Sequence, residues 1–190
     1  EDVDERQRFV VMSGTAEPGD AGAAIGAALS FFSHRQARPQ VASSGSARLG
    51  TEFSREAIIA ALKDAALPFT EPADLVAEIA GLMATGQIGG LFEGRMEFGP
   101  RALGGRSIIA DPRPRAMRDR INAAVKFREP FRPFAASILA PRIAEYVDAA
   151  CDFESPYMNM VMPVRPKWRD AIAAVCHVDG SCRFQTVSSR

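Results

Sequence analysis

Three stretches of this 190-residue chain combine residue types suited to chemistry on anions. The first is Glu97-Phe-Gly-Pro-Arg-Ala-Leu-Gly-Gly-Arg-Ser107, where Gly99, Gly104 and Gly105 leave backbone amides accessible and Arg101, Arg106 and Ser107 add side-chain donors. Such a loop can cradle an oxyanion, although the same residues also fit an ordinary surface turn with solvated arginines. The second, Lys126-Phe-Arg-Glu-Pro-Phe-Arg-Pro-Phe134, interleaves charged and aromatic residues on a backbone stiffened by Pro130 and Pro133. If it is extended, Lys126 and Arg128 fall on one face. Two converging cations repel unless an anion or acid compensates, and phosphate meets that need. A basic loop neutralised by Glu129 fits too, as does a single-stranded nucleic acid stacked on Phe127, Phe131 and Phe134. The third, Val175-Cys-His-Val-Asp-Gly-Ser-Cys-Arg-Phe-Gln185, reads as a hairpin whose alternation puts His177, Asp179, Arg183 and Gln185 near one sheet edge. Taken alone, His177 is more often a structural histidine than a catalyst, and His34 reads as a helix-end surface residue. A metal site at Cys176, His177 and Cys182 lacks a fourth ligand and matches no familiar zinc spacing.

These residues must be positioned by short helices and strands. Phe9 to Met12 reads as an apolar strand, and Asp20 opens a helix of small residues reaching at least Leu29. Arg38 to Gly50 has neither helical nor strand period and reads as a linker. Ser54 can cap a helix through Ala66, with Phe53 and Ile58 as a hydrophobic staple and Ile58, Ile59 and Leu62 as its apolar face. A second helix is expected from Glu71 to Thr85, with Pro72 in its first turn, Gly86 as its stop, and Leu75, Val76, Ile79, Leu82 and Met83 buried. Gln87 to Phe92 then reads as a buried strand, Arg115 to Val125 as a helix, and 134–139, 157–164 and 175–187 as further strands, with Asp179-Gly180 as a hairpin turn. Helices interspersed with short strands indicate an α/β or α+β domain.

Net charge is zero, from 23 basic and 23 acidic residues, but the distribution is uneven. Between Arg95 and Arg142 lie ten arginines and Lys126 against Glu97, Asp111, Asp119 and Glu129, so this segment is seven charges positive. Arginine clustered in this way focuses potential on an anionic partner and suits bidentate contact with phosphate or carboxylate. With 47% hydrophobic residues the chain can bury a core, and no apolar run approaches the roughly 20 residues that span a bilayer. The acidic start, Glu-Asp-Val-Asp-Glu, does not resemble a signal peptide, which makes a cytoplasmic location the expectation. Cys151, Cys176 and Cys182 suggest no disulfide framework and are read as reduced.

Four ordered motifs carry a resemblance to a known family. They are Glu97-Phe-Gly-Pro-Arg-Ala-Leu-Gly-Gly-Arg-Ser-Ile-Ile-Ala-Asp-Pro-Arg113, Arg120-Ile-Asn, Lys126-x-Arg-Glu-x-Phe-Arg-Pro-Phe-Ala135 and His177-Val-Asp-Gly-x-x-Arg-x-Gln185. Together they resemble the signatures of the nodulation-factor and antibiotic O-carbamoyltransferases. Gly19 to Leu29 resembles the end of that family's actin-like, ATPase-fold N-terminal domain. The implied organisation is an actin-like fragment over 1–37, a linker over 38–50, and a YrdC-like domain over 51–190, an open twisted sheet with helices. The sequence reads as a fragment at both ends. Gly105 departs from the pattern, since the family usually has asparagine there.

In that family the YrdC-like domain converts carbamoyl phosphate and ATP to carbamoyl-adenylate, and the actin-like domain passes the carbamoyl group to a small-molecule or glycan hydroxyl. The resemblance implies that Lys126 and Arg128 meet carbamoyl and phosphate oxygens, assisted by Arg132. It implies that Arg101, Arg106 and Ser107 hold phosphates, that Arg183 and Gln185 line the same pocket, and that His177 and Asp179 orient these groups. Mg²⁺ would accompany ATP. Asp20 resembles a metal-binding aspartate of the actin-like domain, whose histidine partners would lie upstream. Threonylcarbamoyl-adenylate synthases share Lys126-x-Arg128 but should lack Gly99-Pro-Arg-Ala-Leu-Gly104 and His177-Val-Asp-Gly180. A basic nucleic-acid-binding module is the alternative from a different class, and nothing in the sequence specifies the acceptor or the oligomeric state.

Overall fold

The computed structural model describes residues 20–36, 46–127, 129, 131–150 and 153–188. The expected strand at Phe9 to Met12 lies outside them. Helix α1 spans Asp20–Gln36, one continuous element longer than its small-residue core suggested. Helix α2, Arg55–Asp64, begins where Ser54 accepts the Ala57 amide, which satisfies a donor the first turn would leave orphaned.

Helix α3 corrects the sequence reading twice. It runs Leu75–Ala84 rather than from Glu71, because Asp74 sits in extended conformation and caps the Ala77 amide. Its apolar residues are not buried: Leu75, Val76 and Leu82 are each more than half exposed. Gly86 does terminate it, at φ 86°.

Two small sheets follow, so the architecture is mixed α and β. Strands β1 (Gly89–Phe92) and β2 (Arg106–Ile109) pair antiparallel, with Leu91 opposite Ser107 and Phe92 opposite Arg106. Strand β1 is half exposed rather than buried. The expected helix at 115–125 forms as α4 (Met117–Ile121), which widens into a π turn over Asn122–Lys126 and stops at Phe127 with φ 47°. The second sheet has order β3-β5-β4. Strand β3 (Ala135–Leu139) lies parallel to β5 (Ser181–Val187), and β4 (Met160–Pro163) lies antiparallel to it. Helix α5 (Ile143–Tyr146) lies between β3 and β4 in sequence, and Arg165 Nε donates to the Ala144 and Val147 carbonyls at its end.

The core lies on one face of β5. Cys182 and Phe184 pack with Ala136, Ile143, Val147, Val164, Ile172 and Val175. Burying Phe184, only 1% exposed, contributes about 1.5–3 kcal/mol. The other face of β5 turns Arg183 and Gln185 toward the motif loop. Residues 175–180 do not form the expected first hairpin strand. His177 and Ser181 instead close a tight turn, with the His177 amide donating to the Ser181 carbonyl and Gly180 at φ 81°. Residues 46–50, placed in the linker by the sequence, join the packed structure: Ala47 is buried with Leu103 and Tyr157, and its carbonyl accepts the Phe98 amide.

Candidate functional site

The loop between β1 and β2 is built around a carboxylate that the sequence reading had not placed. Glu97 Oε1 accepts the Leu103 amide at 2.8 Å, the Arg106 amide at 3.2 Å and the Gly105 amide between them. The Gly104 amide donates to Ser107 Oγ at 2.9 Å. The nest expected to receive an external oxyanion is therefore filled by the chain's own Glu97. Burial alone would raise this carboxyl's pKa, but the amides of Gly105, Leu103, Glu97 itself and Arg106 outweigh it and hold the group below the usual carboxylate range. Gly105 has to be small here, since a Cβ would stand 2.8 Å from the Arg95 carbonyl oxygen and 3.0 Å from the Glu97 carboxyl carbon.

Arg106 is likewise engaged within the protein. Its Nη1 donates to the carbonyls of Glu93, Gly94 and Gly105, and its guanidinium lies 3.5 Å over the Phe92 ring. These contacts occupy Nη1 inside the protein and make Arg106 the brace of the loop.

Beside the braced loop opens a cleft of about 470 Å³, within the range of small-ligand sites. Arg101 and Ser107 line it from the loop, Lys126 from the end of the π turn, and Arg183 and Gln185 from the outward face of β5. Five residues singled out in three separate motifs thus share one cavity. Arg48 also lines it, while Glu93 is the one carboxylate among the lining residues. Buried Gln185 ties the sheet to the loop, its Nε2 donating to the Leu103 carbonyl at 3.0 Å and its Oε1 accepting from Ser137 Oγ at 3.1 Å.

The remaining candidates are placed differently. Arg128 lies outside the described residues. Arg132 stands 3.8 Å from Glu129 in an exposed ion pair and does not line the cleft. His177 and Asp179 line a neighbouring cavity with Arg118, Phe131 and Cys176. There Ser181 Oγ bridges them, 3.0 Å from His177 Nδ1 and 2.7 Å from Asp179 Oδ1. Burial lowers the histidine's pKa, against the opposing pull of Asp179, which favours the neutral ring. Asp20 is the first residue of α1, and the described residues contain no group of three or more acidic, histidine or cysteine side chains able to hold a metal. Arg48 carries no sequence signal because its segment has a linker-like composition; the docking of Ala47 against Leu103 and Tyr157 brings it to the cleft.

Compared with known proteins, residues 80–190 match the family model described as carbamoyltransferase C-terminus. The chain belongs to this carbamoyltransferase family. All four motifs of the sequence reading fall inside the matched region. Nodulation protein NolO of Bradyrhizobium diazoefficiens is 42% identical over 178 residues, covering 90% of this chain and 32% of that protein. Nodulation protein NolNO of Sinorhizobium fredii is 52% identical over 118 residues, covering 60% of this chain and 17% of the relative. An uncharacterised Synechocystis protein is 41% identical over 198 residues, covering 89% of this chain and 32% of its own. The chain therefore spans a third or less of the curated relatives it matches. No helix among the described residues is long and apolar enough to cross a membrane.

Proposed function

We propose that this carbamoyltransferase chain carries the anion site of a cytoplasmic, ATP-dependent O-carbamoyltransferase, in a YrdC-like domain that follows the end of an actin-like one. The cleft binds carbamoyl phosphate and ATP. Water hydrolyses the former to carbamate and inorganic phosphate, the carbamate attacks the α-phosphorus of ATP to give carbamoyl-adenylate and pyrophosphate, and an acceptor hydroxyl then takes the carbamoyl group, losing its proton and releasing AMP. The observation that carries this reading is the gathering of Arg48, Arg101, Lys126 and Arg183 around one cavity that has a single lining carboxylate.

The chemistry asks for such a pocket. Carbamate is a weak nucleophile and decomposes in water, so it has to be generated beside its target and shielded. Cations fixed by a braced loop and a central strand stabilise the charge that develops on phosphoryl oxygens without having to reorganise. Ser107 adds a hydroxyl donor, and Gln185 fixes the loop through the Leu103 carbonyl. His177, Asp179 and Ser181 order the turn that opens β5 and so set where Arg183 projects. Mg²⁺ would arrive with ATP and offset phosphate charge, and Glu93 is the lining carboxylate available to it.

Calorimetric titration with carbamoyl phosphate, and with ATP plus Mg²⁺, tests this directly. Saturable binding that Lys126→Ala weakens by about tenfold or more, the size of one lost charged contact, is the expected result. Phe127 and Phe131, about four-fifths exposed, favour a second reading in which bases stack beside Lys126. Binding of a random oligonucleotide with steep salt dependence, and of neither small ligand, would replace the carbamoyl reading with that one.

A further inference from the structure

Arg48 lies outside the region matched by the family model and was not among the residues its motifs identified. It is half-buried, and two glycines make its seat. Its Nη1 lies 3.3 Å from where a Cβ on Gly94 would stand, and its Nη2 lies 3.2 Å from the same point on Gly104. Its main-chain amide donates to Ser46 Oγ at 3.1 Å, but its guanidinium makes no hydrogen bond or ion pair among the described residues. Arg106, Arg113 and Arg165, by contrast, each engage carbonyls or a carboxylate. A half-buried arginine whose guanidinium has no partner among the described residues keeps five donors to offer an anion.

The position of Arg48 indicates which anion. The residue lines the main cleft and also a second cavity of about 410 Å³ that contains Ser46, Tyr157, Thr186 and Ser188. Arg48, Glu93, Leu103, Gln185 and Val187 are common to both linings, so the two cavities meet at Arg48. Carbamoyl phosphate is small enough for the cleft alone, whereas a nucleoside triphosphate is several times longer and can reach from the cleft past Arg48 into the second cavity. Building on the proposed function, the geometry points to Arg48 as a phosphate-binding residue for the nucleotide at this junction, with the nucleoside received in the second cavity. Hydroxyls and a phenol on that lining suit a ribose and a base.

The test is calorimetric titration of the protein, with Arg48→Ala, Arg48→Gln and Arg48→Lys variants, using ATP plus Mg²⁺, tripolyphosphate plus Mg²⁺ and carbamoyl phosphate as separate ligands. Arg48→Gln keeps length and polarity without charge, so a folding defect in Arg48→Ala does not decide the result. The expected outcome is an ATP Kd raised about 10- to 100-fold in Arg48→Gln, as befits a lost charge-assisted contact, and raised less in Arg48→Lys. Tripolyphosphate should weaken by the same factor while binding less tightly than ATP to the parent protein. Carbamoyl phosphate, which the cleft also meets with Arg101, Lys126 and Arg183, should weaken by a smaller factor than ATP. Unchanged ATP affinity in Arg48→Gln, alongside loss in Lys126→Ala, would overturn the role of Arg48 and leave the proposed function standing. Weakening of ATP but not of tripolyphosphate would overturn the phosphate assignment. A parent protein that binds none of the three overturns both.

Discussion

Replacing Glu97 with glutamine keeps an acceptor oxygen near the three amides of the motif loop and removes only its charge. A charge-assisted hydrogen bond contributes about 1.5–3 kcal/mol and a neutral one about 0.5–1.5 kcal/mol, so three full exchanges would cost about 3 kcal/mol or more. Glu97 is half-buried, and solvent screening reduces that figure to about 1–2 kcal/mol at neutral pH. For a protein of this size the loss corresponds to a Tm lower by about 2–8 °C. Because the folded carboxyl titrates below its unfolded value of about 4.3, the unfolded state takes up the proton first as pH falls. The charge's contribution is thus complete above that value and is lost below it, on passing through the lowered folded pKa. Thermal unfolding of the parent and Glu97→Gln proteins from pH 7 to pH 3 should show a gap that is full at pH 7 and closes toward pH 3. A gap of constant size across that range, or none at pH 7, would refute the account of a charged carboxylate holding the nest.

Two further outcomes follow from the same geometry. Gln185→Leu leaves the Leu103 carbonyl and the Ser137 hydroxyl without their buried partner, and should lower stability by about 2–4 kcal/mol in urea unfolding. Cys182, fully buried with its thiol pushed up to about 12, should stay unalkylated in native protein at pH 8 and react after denaturation, as peptide mass spectrometry would show.

The sequence was most legible where structure is local. Ser54 caps α2 and Gly86 ends α3, because each signal acts within one turn. The start of α3 was misplaced because Pro72 tolerates a first turn without requiring one, and the Asp74 carboxylate supplied the stronger cap. For the site, residue types proved more informative than roles. Arg101, Ser107, Lys126, Arg183 and Gln185 do share a cleft. The division of labour within the glycine loop was hidden, however, since Glu97 reaches amides six to nine residues away and Arg106 reaches back to Glu93 and Gly94. Both contacts depend on how β1 and β2 pair. The Asp179-Gly180 turn is legible for the same local reason, since Asp179 accepts the Ser181 amide and Gly180 sits at φ 81°, but no strand forms before it, so His177 and Asp179 line a neighbouring cavity rather than one edge with Arg183 and Gln185. Arg48 carries no periodic signal, and its place in the cavity wall follows from Ala47 docking beneath Leu103.

Strand β5 presents Cys182 and Phe184 to the core and Arg183 and Gln185 to the cleft, in fixed register with β3 on one side and β4 on the other. A one-residue insertion or deletion near Asp179 would exchange the two faces, pushing an arginine into the hydrophobic interior and a phenyl ring into the cleft. Folding and recognition are thus written in the same reading frame of side chains. Variation in this family can therefore exchange residues along β5 one at a time, but length changes should be tolerated only in segments that β5 does not count against, such as the turns around α2 and α3.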